Sequence, residues 1–130
     1  MLASILATDR GADVLSQYLE CRRILEVEAA GRAAERGDDA RVRSVAAALE
    51  RMEAAVAEEP GEVAERRFHE ADIAFHQALI RATGNIALGS LLERIHSALL
   101  VARYPLARPA YRQERALPEH RRIYDAVAAH

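Results

Sequence analysis

The sequence predicts an all-α protein, an antiparallel bundle of about five to six helices. Apolar residues recur at three- and four-residue spacing over long stretches, and no alternating strand pattern competes with them. Alanine, the strongest helix former, supplies 28 of the 130 residues. The 6 glycines and 4 prolines fall mostly between the periodic stretches, as punctuation.

The first helix is expected over about Asp13 to Arg36, with Val14, Tyr18, Cys21, Leu25 and Ala29 as its apolar stripe. Gly37 reads as the residue that closes it, and Asp38 or Asp39 as the cap of the next helix. The second helix covers roughly Ala40 to Glu58, with Val42, Val45, Leu49, Met52 and Val56 facing inward. "EEPGE" (Glu58 to Glu62) turns the chain, because Pro60 cannot continue a helix. A third helix runs from about Val63 to Ala82 and stops at "TGN", where Gly84 and Asn85 both tolerate a left-handed backbone. The fourth spans about Ile86 to Arg103, carrying Leu88, Leu91, Leu92, Ile95, Leu99 and Leu100. "YPLARP" (Tyr104 to Pro109) interrupts the pattern, and a short helical piece follows. "LPEH" opens the last helix, with Pro118 in its first turn, and that helix is still in progress at His130.

Length and composition fit one domain with a core of its own. With 51% hydrophobic and 29% charged residues, the chain is not of the disordered class. A formal net charge of -2 and the lack of any basic run leave no electrostatic footprint for nucleic acid. The single cysteine, Cys21, excludes an internal disulfide and fits a reducing, cytoplasmic setting. No apolar run reaches the length of a membrane span.

One stretch departs from the bland helical pattern. On the third helix Phe68, Phe75 and Leu79 form an apolar face, and Asp72 falls among them. A carboxylate facing a core is costly unless it is paired, protonated or bound to a metal. His76 follows four residues later, so both side chains project from one face, one turn apart. Together they can hold one cation, with a third ligand from another helix, for which His120 is the candidate. Two imidazoles and one carboxylate suit zinc, nickel, manganese or ferrous iron rather than calcium. An Asp–His hydrogen bond inside the core explains the same spacing without a metal.

Other histidines carry less. His69 lies on nearly the same stripe, as a further ligand or a solvated residue near the helix start. "ERIH" (Glu93 to His96) is half of a di-metal motif whose second half is missing. His130 lies about 80° off the His120 face of a continuous helix. Arg22 or Arg23 could turn inward and meet a carboxylate ligand, while the other is solvated. No nucleophile motif or phosphate loop is present.

Four segments together resemble the C-terminal effector-binding domain, FCD, of the FadR subfamily of GntR transcription regulators. They are "YLECRRILEVEAAGRAAERG" (Tyr18 to Gly37), with an Arg-x-x-x-Glu spacing at Arg22 and Glu26, "ALERMEAA" (Ala48 to Ala55), "EADIAFHQALIRATGN" (Glu70 to Asn85) and "PEHRRIYDAVAAH" (Pro118 to His130). Their order and spacing cover nearly the whole chain. The resemblance implies a divalent metal held by Asp72, His76 and His120, with zinc, nickel or manganese in view. It also implies a fourth histidine about 22 residues beyond His120, past the last residue here. Arg22 matches the position of an effector-binding arginine. By the same resemblance the effector is a small organic acid or sugar acid, and the domain forms a homodimer. The regulators of this family read DNA through an N-terminal winged helix-turn-helix domain, which has no counterpart in residues 1–130. The expectation is therefore a single ligand-binding domain, not an enzyme, with no membrane partner. A metal-free helical dimerisation or interaction module is the alternative, and a metal-dependent helical-bundle enzyme using Glu93 or Glu119 as base is a more distant one.

Overall fold

The computed structural model describes residues 11–101 and 116–129. Five helices follow one another among them, with no strand: α1 (Gly11–Arg36), α2 (Asp39–Ala57), α3 (Glu62–Thr83), α4 (Ile86–Val101) and α5 (Leu117–Ala128). The all-α bundle is as the periodicity predicts, with helix ends within a residue or two for α2, α3 and α4. The expected break at Tyr104 to Pro109, the short piece after it and His130 lie outside the described residues.

The punctuation works by identifiable hydrogen bonds. Gly37 N–H closes α1 by donating to Ala33 O at 2.8 Å. Asp38 then caps α2, its carboxylate accepting from Arg41 N–H at 2.8 Å. Gly84 ends α3 in the left-handed region, φ 65°, and is the one described glycine at positive φ. Thr83 and Asn85 complete that corner. The Thr83 hydroxyl donates to Ile80 O and accepts from Asn85 N–H, while Asn85 Oδ1 accepts from Leu88 N–H. Asn85 therefore starts α4 rather than merely stopping α3.

α3 is the central helix. It packs against α2, the most extensive pair among the described helices, and against α1 and α4. Val45, Leu49 and Met52 of α2 meet Phe68, Ala71 and Phe75 of α3 in one apolar cluster. Ala29, Ala30 and Ala33 of α1 meet Leu79 and Ala82 of α3, Leu92 of α4 and Val127 of α5 in the other. Alanines on the facing surfaces let the backbones approach. Each large apolar side chain buried there contributes about 1.5–3 kcal/mol by transfer from water.

Two predicted stripes shift. On α1 Cys21 is exposed, and the inward line runs instead through Glu26, Ala29, Ala30 and Ala33. The helix is alanine-rich and weakly amphipathic, so periodicity fixes its orientation poorly. On α4 Leu91 is 52% exposed, while Leu92, Ile95 and Leu99 are buried and the Leu100 side chain lies outside the description.

Close approach of α4 to α3 has a specific device. Gly89 is buried, and a Cβ built there runs into Ile80 Cγ2. The β-branched Ile80 has little freedom to move aside. Helix propensity alone predicts that Gly89→Ala stabilises the chain by about 0.5–1 kcal/mol. The packing predicts the opposite sign, a loss of about 1–3 kcal/mol, read as a lower urea midpoint.

Candidate metal centre

The central helix supplies two of the three residues that the sequence singles out. Phe68, Phe75 and Leu79 are buried as the apolar face requires, and Asp72 between them is only 9% exposed. His76 stands one turn above Asp72, with its Nε2 at 3.2 Å from Asp72 Oδ1. The third comes from α5, where Pro118 at the start of the helix sets its first turn and His120 points inward, 7% exposed. His120 Nε2 lies 2.6 Å from Asp72 Oδ1 and 3.2 Å from His76 Nε2. Three ligand-type atoms from residues 48 apart in sequence thus converge on one point.

The far nitrogen of each ring is also engaged. His120 Nδ1 lies 2.5 Å from Ala116 O, a carbonyl that can only accept, so the ring donates its Nδ1 proton there. His76 Nδ1 lies 3.3 Å from Glu26 Oε1 of α1. Phe75 meets both rings edge-on, with centroids 4.7 Å from His120 and 5.7 Å from His76, and keeps water from that side.

The charges are set by burial and by one another. Burial pushes the Asp72 carboxyl up, but hydrogen bonds from His120 and His76 and their charges outweigh it and hold Asp72 far below the ordinary carboxylate range. Burial lowers His76 below the usual histidine value, with Asp72 and Glu26 offsetting it only in part. At His120 burial acts in the same direction, but the hydrogen bond to Asp72, its charge and the Ala116 carbonyl raise the ring above the usual value. Asp72 is therefore an anion at neutral pH, and His120 is the ring that more readily carries two protons.

A cavity of about 300 Å³ opens beside this point. Its walls include Arg22, Gln77, His96, Ser97 and Glu119 as well as the three converging residues. Arg22 is the inward arginine and Arg23 is exposed, as the geometry of neighbouring helix positions requires. Arg22 Nε sits 3.8 Å from Glu26 Oε2. His69 is half-buried on the cavity wall but joins no group of converging ligand atoms among the described residues, and Glu93 lies on the same wall.

Sequence reasoning gave no place at the site to two residues. Glu26, buried on α1, and His96, on α4, meet at 3.3 Å and form with His76 a second group of close ligand-type atoms. "ERIH" matters through its histidine alone, and not as half of a di-metal motif. For Glu26 the available signal was a carboxylate at the inward-facing position four residues after Arg22.

A family model for the FCD domain matches residues 17–130. No curated protein matches the chain.

The direction of the Asp72 shift gives a pH dependence for the metal-free chain. Its folded pKa lies below the ordinary 3.8, so its contribution to stability is fully present well above that value and is lost progressively as the pH falls below it toward the folded pKa. In chelator-treated protein the melting temperature should fall as the pH drops from about 5 to about 3, and Asp72→Asn should flatten that part of the profile.

Proposed function

The chain belongs to the FCD domain family, and from that premise we propose that it is the effector-sensing domain of a GntR-type transcription regulator. Asp72, His76 and His120 hold a divalent cation, with zinc, nickel or manganese suited to two imidazoles and a carboxylate. Arg22 contacts a small organic acid or sugar acid in the adjoining cavity. Residues 1–130 act as one ligand-binding domain that assigns DNA contact to a separate winged helix-turn-helix domain.

The observation that carries this reading is the His120 ring. Its Nδ1 proton is directed at the Ala116 carbonyl, so a neutral ring turns an Nε2 lone pair toward the Asp72 carboxylate 2.6 Å away and toward His76 Nε2. Three lone-pair donors facing one another repel unless something positive stands among them. A divalent cation turns that repulsion into ligation, and the donor set is of the N/O type such a cation prefers. The far nitrogens of both rings are held by acceptors, the arrangement that orients imidazole ligands.

A bound cation would supply coordination positions that a carboxylate can occupy. The chain's own residues do the rest. Arg22 offers a planar donor fork from the cavity wall, suited to a carboxylate. Gln77 and Ser97 add neutral hydrogen-bonding groups on the same wall, which suit hydroxyls of a small acid. α5 packs against α1 and α2, and α1 packs against α3, so a ligand seated in the cavity bears on how those helices sit, and an effector acts through that arrangement.

For assembly, Ile24 and Val27 of α1 and Ile86 of α4 leave 57%, 66% and 88% of their surface exposed, apolar surface that a second copy would cover in a homodimer. No described helix is long and apolar enough to cross a membrane. The exposed thiol of Cys21 suits a reducing compartment, and we assign the domain to the cytoplasm. The regulatory family gives the chain a sensing role, and we assign no catalytic step to Glu93 or Glu119.

One alternative rests on the same ring. A doubly protonated His120 would donate from Nε2 to Asp72 and satisfy the geometry as a metal-free buried ion pair, as in an interaction module. Zinc uptake distinguishes the two, because a ring that keeps its Nε2 proton has no lone pair for a cation. Zinc added to metal-free protein should be taken up at about one ion per chain. Asp72→Ala should take up little. Uptake that is equally low in both proteins, by elemental analysis after gel filtration, would leave the ion-pair module as the reading.

A further inference from the structure

We infer that Glu26 is the outer partner of the cation ligand His76: its carboxylate accepts the Nδ1 proton of His76, fixes the tautomer whose Nε2 can ligate, and ties that ligand to Arg22. This rests on the cation reading above and goes beyond it, to a residue of another helix that does not touch the cation. Glu26 is then a positioning residue.

The geometry is specific. His76 presents Nε2 to Asp72 and His120, and its other nitrogen, Nδ1, to Glu26 Oε1 at 3.3 Å. The same Oε1 lies 3.3 Å from His96 Nε2, so both imidazoles can donate to one oxygen. The other oxygen, Oε2, faces Arg22 Nε at 3.8 Å. Glu26 itself is buried at 9% exposure on α1, where a carboxylate is costly unless its lone pairs are occupied. His120 has the equivalent support from the Ala116 carbonyl. Each imidazole at the centre thus has its far nitrogen held, one by a carbonyl and the other by a carboxylate.

Glu26, His76 and His96 also lie close enough to hold a cation of their own. The shared ring argues against two cations at once. A neutral imidazole that ligates through Nε2 keeps its proton on Nδ1, and that nitrogen then has no lone pair for a second ion. It does have a proton to donate, and Glu26 is the acceptor in reach. The carboxylate also makes the ring a stronger donor to the metal, as anionic acceptors do. Because Arg22 leans on the same carboxylate, the residue suited to the effector and a residue suited to the cation share one side chain.

The test uses the full chain, with zinc as the probe. Zinc affinity is measured by competition with a chromophoric chelator for the wild type, Glu26→Gln, His96→Ala and Asp72→Ala. Histidine nitrogen NMR of the zinc-loaded wild type reads the His76 tautomer. The expected results are one zinc per wild-type chain, an affinity lowered roughly 10–100-fold in Glu26→Gln, and an Nδ1–H form of His76 whose proton signal lies far downfield and moves in the variant. Unchanged affinity together with an unmoved signal in Glu26→Gln would overturn the inference while leaving the cation reading intact. So would two zinc ions per wild-type chain falling to one in His96→Ala. If Glu26→Gln does not fold, the wild-type spectrum decides alone: a His76 ring ligated through Nδ1 overturns it, and an Nδ1–H ring sustains it. A wild type that binds no more zinc than Asp72→Ala fails the cation reading and this inference with it.

Discussion

A buried carboxylate on the central helix is the constraint around which the site is arranged. Asp72 sits where the face of α3 should be apolar, between Phe68 and Phe75, and it is held ionised there. An unpaired anion in that place would cost several kcal/mol. Two imidazoles answer it, one from the next turn of the same helix and one from α5. The docking of α5 is thereby tied to the chemistry: moving α5 away would strand Asp72.

Support for that centre extends outward in layers. His120 leans on the carbonyl of its own helix start, and His76 leans on Glu26 of α1. Glu26 in turn gathers His96 from α4 and Arg22 from α1. Four of the five described helices therefore contribute a polar side chain to one connected network. α2, the fifth, packs against α3 and α5 mainly through apolar side chains such as Val45, Leu49 and Met52. The fold separates its tasks accordingly. The α2–α3 interface supplies apolar burial, and α1, α3, α4 and α5 carry the polar network and line the cavity beside it. The cavity is lined by groups from four helices, which is the physical basis for a ligand to alter their arrangement.

Helix count, helix type and most helix ends were legible in the sequence, because each rests on local chemistry. Asp38 can cap and Gly84 can turn left-handed whatever surrounds them. Asp72 and His76 share a face by the pitch of the helix alone, so their partnership needed no tertiary information. His120 and Arg22 were candidates from residue type alone, and the order and spacing of the four motif segments singled them out, since no local rule connects them to Asp72.

What only the tertiary structure decided is the orientation of α1 and the set of residues that complete the centre. α1 is alanine-rich on several faces, so the energetic difference between turning Cys21 inward and turning Glu26 inward is not written in its periodicity. It is decided by partners 50 and 70 residues away, His76 and His96, which give a buried Glu26 its hydrogen-bond donors. Local spacing determined where a carboxylate and an imidazole stand on one helix. Packing between helices determined which nitrogen of each ring faces inward, and which carboxylate holds the other, because hydrogen-bond partners across a core are fixed by distance in space and not by distance along the chain.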